Sequence, residues 1–95
     1  MEQTYTDIPT ILSIAINENI GYINNVYFRI NGVNIGKVNW VSRFQKDDNS
    51  WYSIFTTEHI FYTPCKNQQL DFIYEVDGFY YFTEPIIFNV EKLYK

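Results

Sequence analysis

The chain has 95 residues, of which 46% are hydrophobic and 20% aromatic, and it carries a formal net charge of -4. This composition excludes a disordered polymer, and the length predicts one packed domain over residues 1–95, since single cores stop growing only at roughly 250 residues. The negative balance, with the seven Lys and Arg residues scattered singly, excludes the clustered basic surface of a nucleic-acid binder.

Apolar residues recur with period two almost throughout, and no capped i, i+3, i+4 stripe interrupts them, so strands joined by turns are predicted. The first strand sets Ile8, Thr10, Leu12, Ile14 and Ile16 on one face against Ile11, Ser13, Ala15 and Asn17 on the other. The polar segment 17–21 reverses the chain. Residues 22–30 follow, with Val26, Phe28 and Ile30 facing one way and Asn25, Tyr27 and Arg29 the other. Asn31 and Gly32 make a tight hairpin turn that pairs Ile30 with Val33 and Phe28 with Ile35. The apolar phase then slips to Val38 and Trp40, which either a bulge near Gly36 and Lys37 or a loop ending at Gly36 would explain.

Residues 45–50 read as a solvated turn. Residues 51–62 form a long strand or a bent pair whose faces stay open, because both parities carry aromatics. Thr63 and Pro64 break that run and residues 65–69 connect. Leu70, Phe72, Tyr74 and Val76 then mark one face of the next strand. Asp77 and Gly78 close a second tight turn, pairing Val76 with Phe79, Tyr74 with Tyr81 and Phe72 with Thr83. Pro85 cannot donate to a ladder and marks an edge or a break, and Ile86, Phe88 and Val90 give a last strand. About six or seven short strands with no βαβ crossover predict an all-β, two-sheet antiparallel sandwich of immunoglobulin or fibronectin type III shape, with a small β-barrel as the alternative.

The arm leaving Asp77 and Gly78 carries Phe79, Tyr80, Tyr81 and Phe82, four successive aromatics that strand geometry sends alternately to opposite faces. In the register of that turn, one face holds Tyr74, Val76, Phe79 and Tyr81. The other holds Asp71, Ile73, Glu75 and Asp77 together with Tyr80, Phe82 and Glu84, with Tyr80 across from Glu75 and Phe82 across from Ile73. Carboxylates mark this second face as wet. Its apolar groups are therefore either covered from within, by residues 1–6 or 51–62, or left for a partner.

Exposed aromatics concentrate at interface hot spots, and complementary charge speeds encounter, so Ile73, Glu75, Asp77, Tyr80 and Phe82 are the candidate contacts for a protein partner with a basic surface. On this reading the chain is not an enzyme but a small acidic inhibitor or immunity-type protein that blocks an enzyme or toxin. Two alternatives belong to other classes. One is a carbohydrate-binding module that stacks sugar rings on Trp40, Trp51, Tyr52 and Tyr80; the other is a homo-oligomeric structural subunit.

Catalytic motifs are missing. His59 stands beside Glu58 in a strand pattern that points adjacent side chains apart, and Cys65 follows Pro64 without an activating motif, so both read as packing residues. Structural zinc wants four Cys or His ligands where this chain holds one of each, and residues 47–50 lack the alternating ligands, Gly and closing Glu of a calcium loop. Asp71, Glu75 and Asp77 share a strand face, but a glycosidase pair also needs a deep cleft. Neither a phosphate-cradling Gly-rich loop nor a nucleophile elbow occurs. No metal, cofactor or nucleic acid is expected. No window approaches the ~18 apolar residues of a membrane span, and residues 1–10 lack the basic start and apolar core of a signal peptide. With a single cysteine and no Asn-x-Ser/Thr acceptor, the expected location is cytoplasmic.

Overall fold

The computed structural model describes residues 3–93. Among the described residues nine strands follow one another: β1 (Gln3–Tyr5), β2 (Pro9–Asn17), β3 (Ile23–Ile30), β4 (Val33–Lys37), β5 (Asn39–Gln45), β6 (Trp51–Ile60), β7 (Cys65–Val76), β8 (Phe79–Phe82) and β9 (Ile86–Glu91). A short 3-10 turn, Glu18–Ile20, joins β2 to β3. Among the described residues no helix is long and apolar enough to cross a membrane.

The strands form two sheets. One runs β2-β6-β5; the other runs β1-β9-β7-β3-β4, with β8 also paired to β7. Every pairing is antiparallel except that of β1 with β9. Neither sheet closes on itself, so the architecture is an open sandwich and not a barrel. With β5-β6-β2 in one layer and β9-β7-β3-β4 in the other, the order matches the Greek-key arrangement of immunoglobulin domains. The strand count exceeds the expected six or seven for two reasons. β1, three residues long, adds a strand ahead of the expected first one, and the run after Gly32 is cut in two at Val38.

Inward positions alternate as a two-layer core demands. Leu12 and Ile16 of β2, Phe55 of β6, Val26 and Phe28 of β3, Leu70 and Phe72 of β7, and Phe88 and Val90 of β9 make one buried cluster. Residues 51–60 form a single strand, with Ser53 and Phe55 buried and Tyr52 and Ile54 on the opposite face. Both tight turns carry positive φ at their two central residues, 52° and 80° at Asn31 and Gly32, and 52° and 83° at Asp77 and Gly78. That is the type I′ geometry whose twist suits a hairpin. Ile30 pairs with Val33, Val76 with Phe79 and Tyr74 with Tyr81 as the turns predict.

One register differs from expectation. The bulge falls one step earlier than Gly36 and Lys37: Ile35 is the extra residue, so Phe28 lies opposite Gly36 instead of Ile35. A Cβ at Gly36 would sit 3.3 Å from the Phe28 ring, and the absent side chain gives that ring its room. With Ile35 extra, the inward parity passes from Val33 to Gly36 and Val38, which is the phase slip seen in the sequence. At Val38, 1% exposed, the chain crosses from one sheet to the other, and the Val38 N–H donates to the Val26 carbonyl at 2.8 Å.

Candidate functional site

The β7–β8 hairpin answers the question raised by its four aromatics. Val76 is buried and Tyr74 packs against the core, so the face they share with Phe79 and Tyr81 is the inner one. Yet Phe79 is 70% exposed and Tyr81 46%, while Tyr80 and Phe82 on the outer face are 58% and 55% exposed. The three-stranded sheet does not extend over β8, and both sides of the strand meet water. Residues 3–5 lie elsewhere, running parallel to β9 with Thr4 opposite Val90, and β6 belongs to the other sheet. Among the described residues, neither 3–6 nor β6 covers the outer face.

Ile73, Glu75, Tyr80 and Phe82 come together on the outer face of β7 and β8. Phe82 pairs with Ile73 and Tyr80 with Glu75, and on the far side of β7 Tyr27 of β3 pairs with Ile73. Asp77 stands exposed at the turn. The acid fringe is thinner than the sequence suggests. Asp71 is held bidentately by Arg29, with Nε to Oδ1 at 2.7 Å and Nη2 to Oδ2 at 2.5 Å. That hydrogen bonding raises the Arg29 pKa above its ordinary value. The same guanidinium lies 4.5 Å from the centre of the Phe82 ring, a cation–π contact that props the aromatic against the sheet. Asn25 Nδ2 donates to Glu75 Oε1 at 2.9 Å. Among the described residues Glu75, Asp77 and Glu84 make no salt bridge, so the net charge of this rim is negative. Arg29 is the residue that sequence reasoning missed. Its signal was its outward parity on β3, and its use depended on knowing that β3 and β7 are neighbours.

Trp40, Trp51, Tyr52 and Tyr80 do not share a platform. Tyr80 lies on the other sheet. Trp51 has the Arg43 guanidinium over its ring at 4.1 Å. Tyr52 stacks on Phe44 with centroids 5.4 Å apart, and the Lys46 ammonium lies 4.4 Å from its ring centre. Trp40 alone opens onto a cavity.

That cavity is a cleft of about 350 Å³ lined by Glu18, Tyr22, Ile23, Trp40, Ser53 and Phe55. Its origin is topological. β4 pairs with β3 only over residues 27–30, and the chain leaves for the other sheet at Val38, so no strand closes the flank beside residues 23–26. Polar groups furnish the wall: Arg43 donates to Glu18 through Nη2 at 2.6 Å and Nε at 3.0 Å, and Ser53 Oγ donates to Glu18 Oε2 at 2.9 Å. Arg43 accordingly holds the Glu18 carboxyl below its usual pKa, and Ser53 adds to the effect. At Gly21, with φ 124°, a Cβ would come within 2.9 Å of Val76 Cγ1 and 3.0 Å of Asp77 Oδ2. The β2–β3 connection thus leans on the β7–β8 turn, and cleft and hairpin share one end of the sandwich.

His59 and Cys65 fall among packing contacts. The His59 ring meets Phe28 edge-on at 5.4 Å and Phe61 at 4.6 Å, and burial holds its pKa below the ordinary value. Cys65 opens β7, half-buried and opposite Val90.

Comparison of the chain with protein-family models, with curated proteins and with solved structures returns no match. The functional reading therefore starts from the side chains themselves.

Proposed function

We propose that this chain is a non-enzymatic protein-binding domain that engages its partner through the β7–β8 hairpin. One observation carries the reading: all four residues of Phe79–Phe82 are exposed, two on each face of a hairpin edge that the second sheet leaves bare. A contiguous apolar surface of this kind on a soluble domain marks an interaction site. On the outer face Ile73 fills the space beside Phe82, and Tyr80 adds an apolar ring with a polar tip, the chemistry of an interface anchor. Glu75 and Asp77 at the rim, with the formal net charge of -4, favour a partner with a basic surface, since charge complementarity speeds encounter while buried aromatics slow release. The most concrete form of the reading is a small inhibitor or immunity-type protein that covers a basic surface of an enzyme or toxin.

The test begins with the stoichiometric companion retained on gentle purification from the native source, then uses that companion purified. The triple variant Ile73→Ala, Tyr80→Ala, Phe82→Ala is expected to keep its β-sheet circular dichroism and to bind about 100-fold more weakly. Association with the unaltered chain should slow as salt rises. Equal affinity of the triple variant would overturn the proposal. A companion consisting only of a second copy of this chain would replace it with the homo-oligomer reading.

A further inference from the structure

We propose that the cleft between the β2–β3 connection and strands β5 and β6 is a binding site for a single neutral sugar ring. The inference is independent of the hairpin reading and rests on residues that the hairpin does not use.

Trp40 is the first reason. Its register opposite Phe55 puts it in line with a ring only 8% exposed, yet Trp40 itself is 55% exposed. A core-parity tryptophan left open on a concave wall offers a flat apolar face at little conformational cost. Tyr22, 78% exposed, lines the same cleft from the β2–β3 connection.

The second reason is the polar wall. Ser53 is buried at a position facing the space between the sheets, and it and Arg43 converge on Glu18. The Arg43 and Glu18 side chains keep 48% and 26% of their surface, so neither charge is lost to the core. The carboxylate is fixed by three hydrogen bonds, one to Oε1 and two to Oε2. A carboxylate has about four acceptor sites, so one remains on Oε1, and the Ser53 oxygen can still accept.

These groups select the ligand. Arg43 already offsets the Glu18 charge, so a cation would compete with a guanidinium for the same oxygens. A wholly apolar ligand would leave the remaining acceptor sites of Glu18 and Ser53 without a donor. A sugar ring presents an apolar C–H face to Trp40 or Tyr22 and hydroxyls that both donate and accept. At about 350 Å³ the cleft lies near the lower end of ligand sites, which run from about 300 to 1,000 Å³. One ring fits, and the rest of a longer glycan would project into solvent.

The experiment is titration of the isotope-labelled chain, followed by NMR and by tryptophan fluorescence. The probes are glucose, galactose, mannose, N-acetylglucosamine and their β-1,4-linked disaccharides, each to about 50 mM, a range that detects dissociation constants near 1 mM. At least one sugar should give saturable shifts at the amides of Gly21, Tyr22, Trp40 and Phe55. Trp40→Ala and Tyr22→Ala should each weaken that binding about tenfold. Both side chains are exposed, so their removal leaves the fold standing. Tyr80→Ala with Phe82→Ala should leave sugar binding unchanged, which separates this site from the hairpin. The proposal is overturned if no sugar shifts these amides, if Trp40→Ala and Tyr22→Ala both bind like the unaltered chain, or if tetramethylammonium or indole at equal concentration shifts them more than every sugar does.

Discussion

β8 and β9 lie end to end along one edge of β7, separated only by residues 83–85, and both are rich in aromatic and aliphatic side chains. In β9 the inward residues Phe88 and Val90 are 1% and 2% exposed; in β8 the inward residues Phe79 and Tyr81 are 70% and 46% exposed. The pairing partner and the alternation are the same. What differs is the layer opposite. Phe88 meets Phe61 at 5.5 Å, Phe61 meets His59, and His59 meets Phe28, so β9 closes a chain of rings that spans the two sheets. β8 has no such counterpart. Alternation in a strand therefore names the face a side chain takes, and only the opposing layer decides whether that face is dry.

The comparison can be broken or sharpened by substitution. The largest effect is expected for Phe88→Ala, which empties a filled site in the core and should lower unfolding free energy by about 3–5 kcal/mol in urea titration. Arg29→Met comes next. It removes a half-buried bidentate ion pair to Asp71 and the cation–π contact to Phe82, and a loss of about 1 kcal/mol is expected.

Between pH 7 and pH 5 acidification should act through His59 of β6, which stands in the chain of rings that reaches β9. Burial holds its pKa below the ordinary 6.5, so the unfolded chain takes up the proton more readily than the folded one. Stability is then full above that ordinary value and is lost as pH falls toward the folded value. Melting temperature should fall between pH 7 and pH 5 by a modest amount, and His59→Phe should flatten that slope. The smallest change belongs to β8: Phe79→Ser and Tyr81→Ser should each alter stability by only about 0.5 kcal/mol. A penalty as large as that of Phe88→Ala would mean that β8 is covered after all.

Much of the sandwich was legible because its signals are local. Asn31 with Gly32 and Asp77 with Gly78 fix two registers by backbone conformation, and Leu70, Phe72 and Val76 declare the buried face of β7. The outer-face group of Ile73, Glu75, Tyr80 and Phe82 followed from the second turn for the same reason. What escaped depends on contacts between distant segments. Arg29 and Asp71 are 42 positions apart and Glu18 and Arg43 are 25 apart, and no periodicity within either strand foretells such pairs. The cleft was equally hidden, since it exists only because the chain changes sheets at Val38.

The break at residues 83–85 has a dynamic consequence. The Thr83 N–H donates to the Phe72 carbonyl at 3.0 Å, and Thr83 Oγ1 accepts the Phe72 N–H at 2.9 Å, so the ladder is clamped where β8 ends and before Pro85 interrupts it. Opening of β8 from β7 can stop at that clamp. Amide hydrogen exchange in β8 should then proceed through local fraying, while β9 exchanges only with global unfolding. The aromatic tip is thereby free to adjust its shape while the rest of the domain keeps its structure.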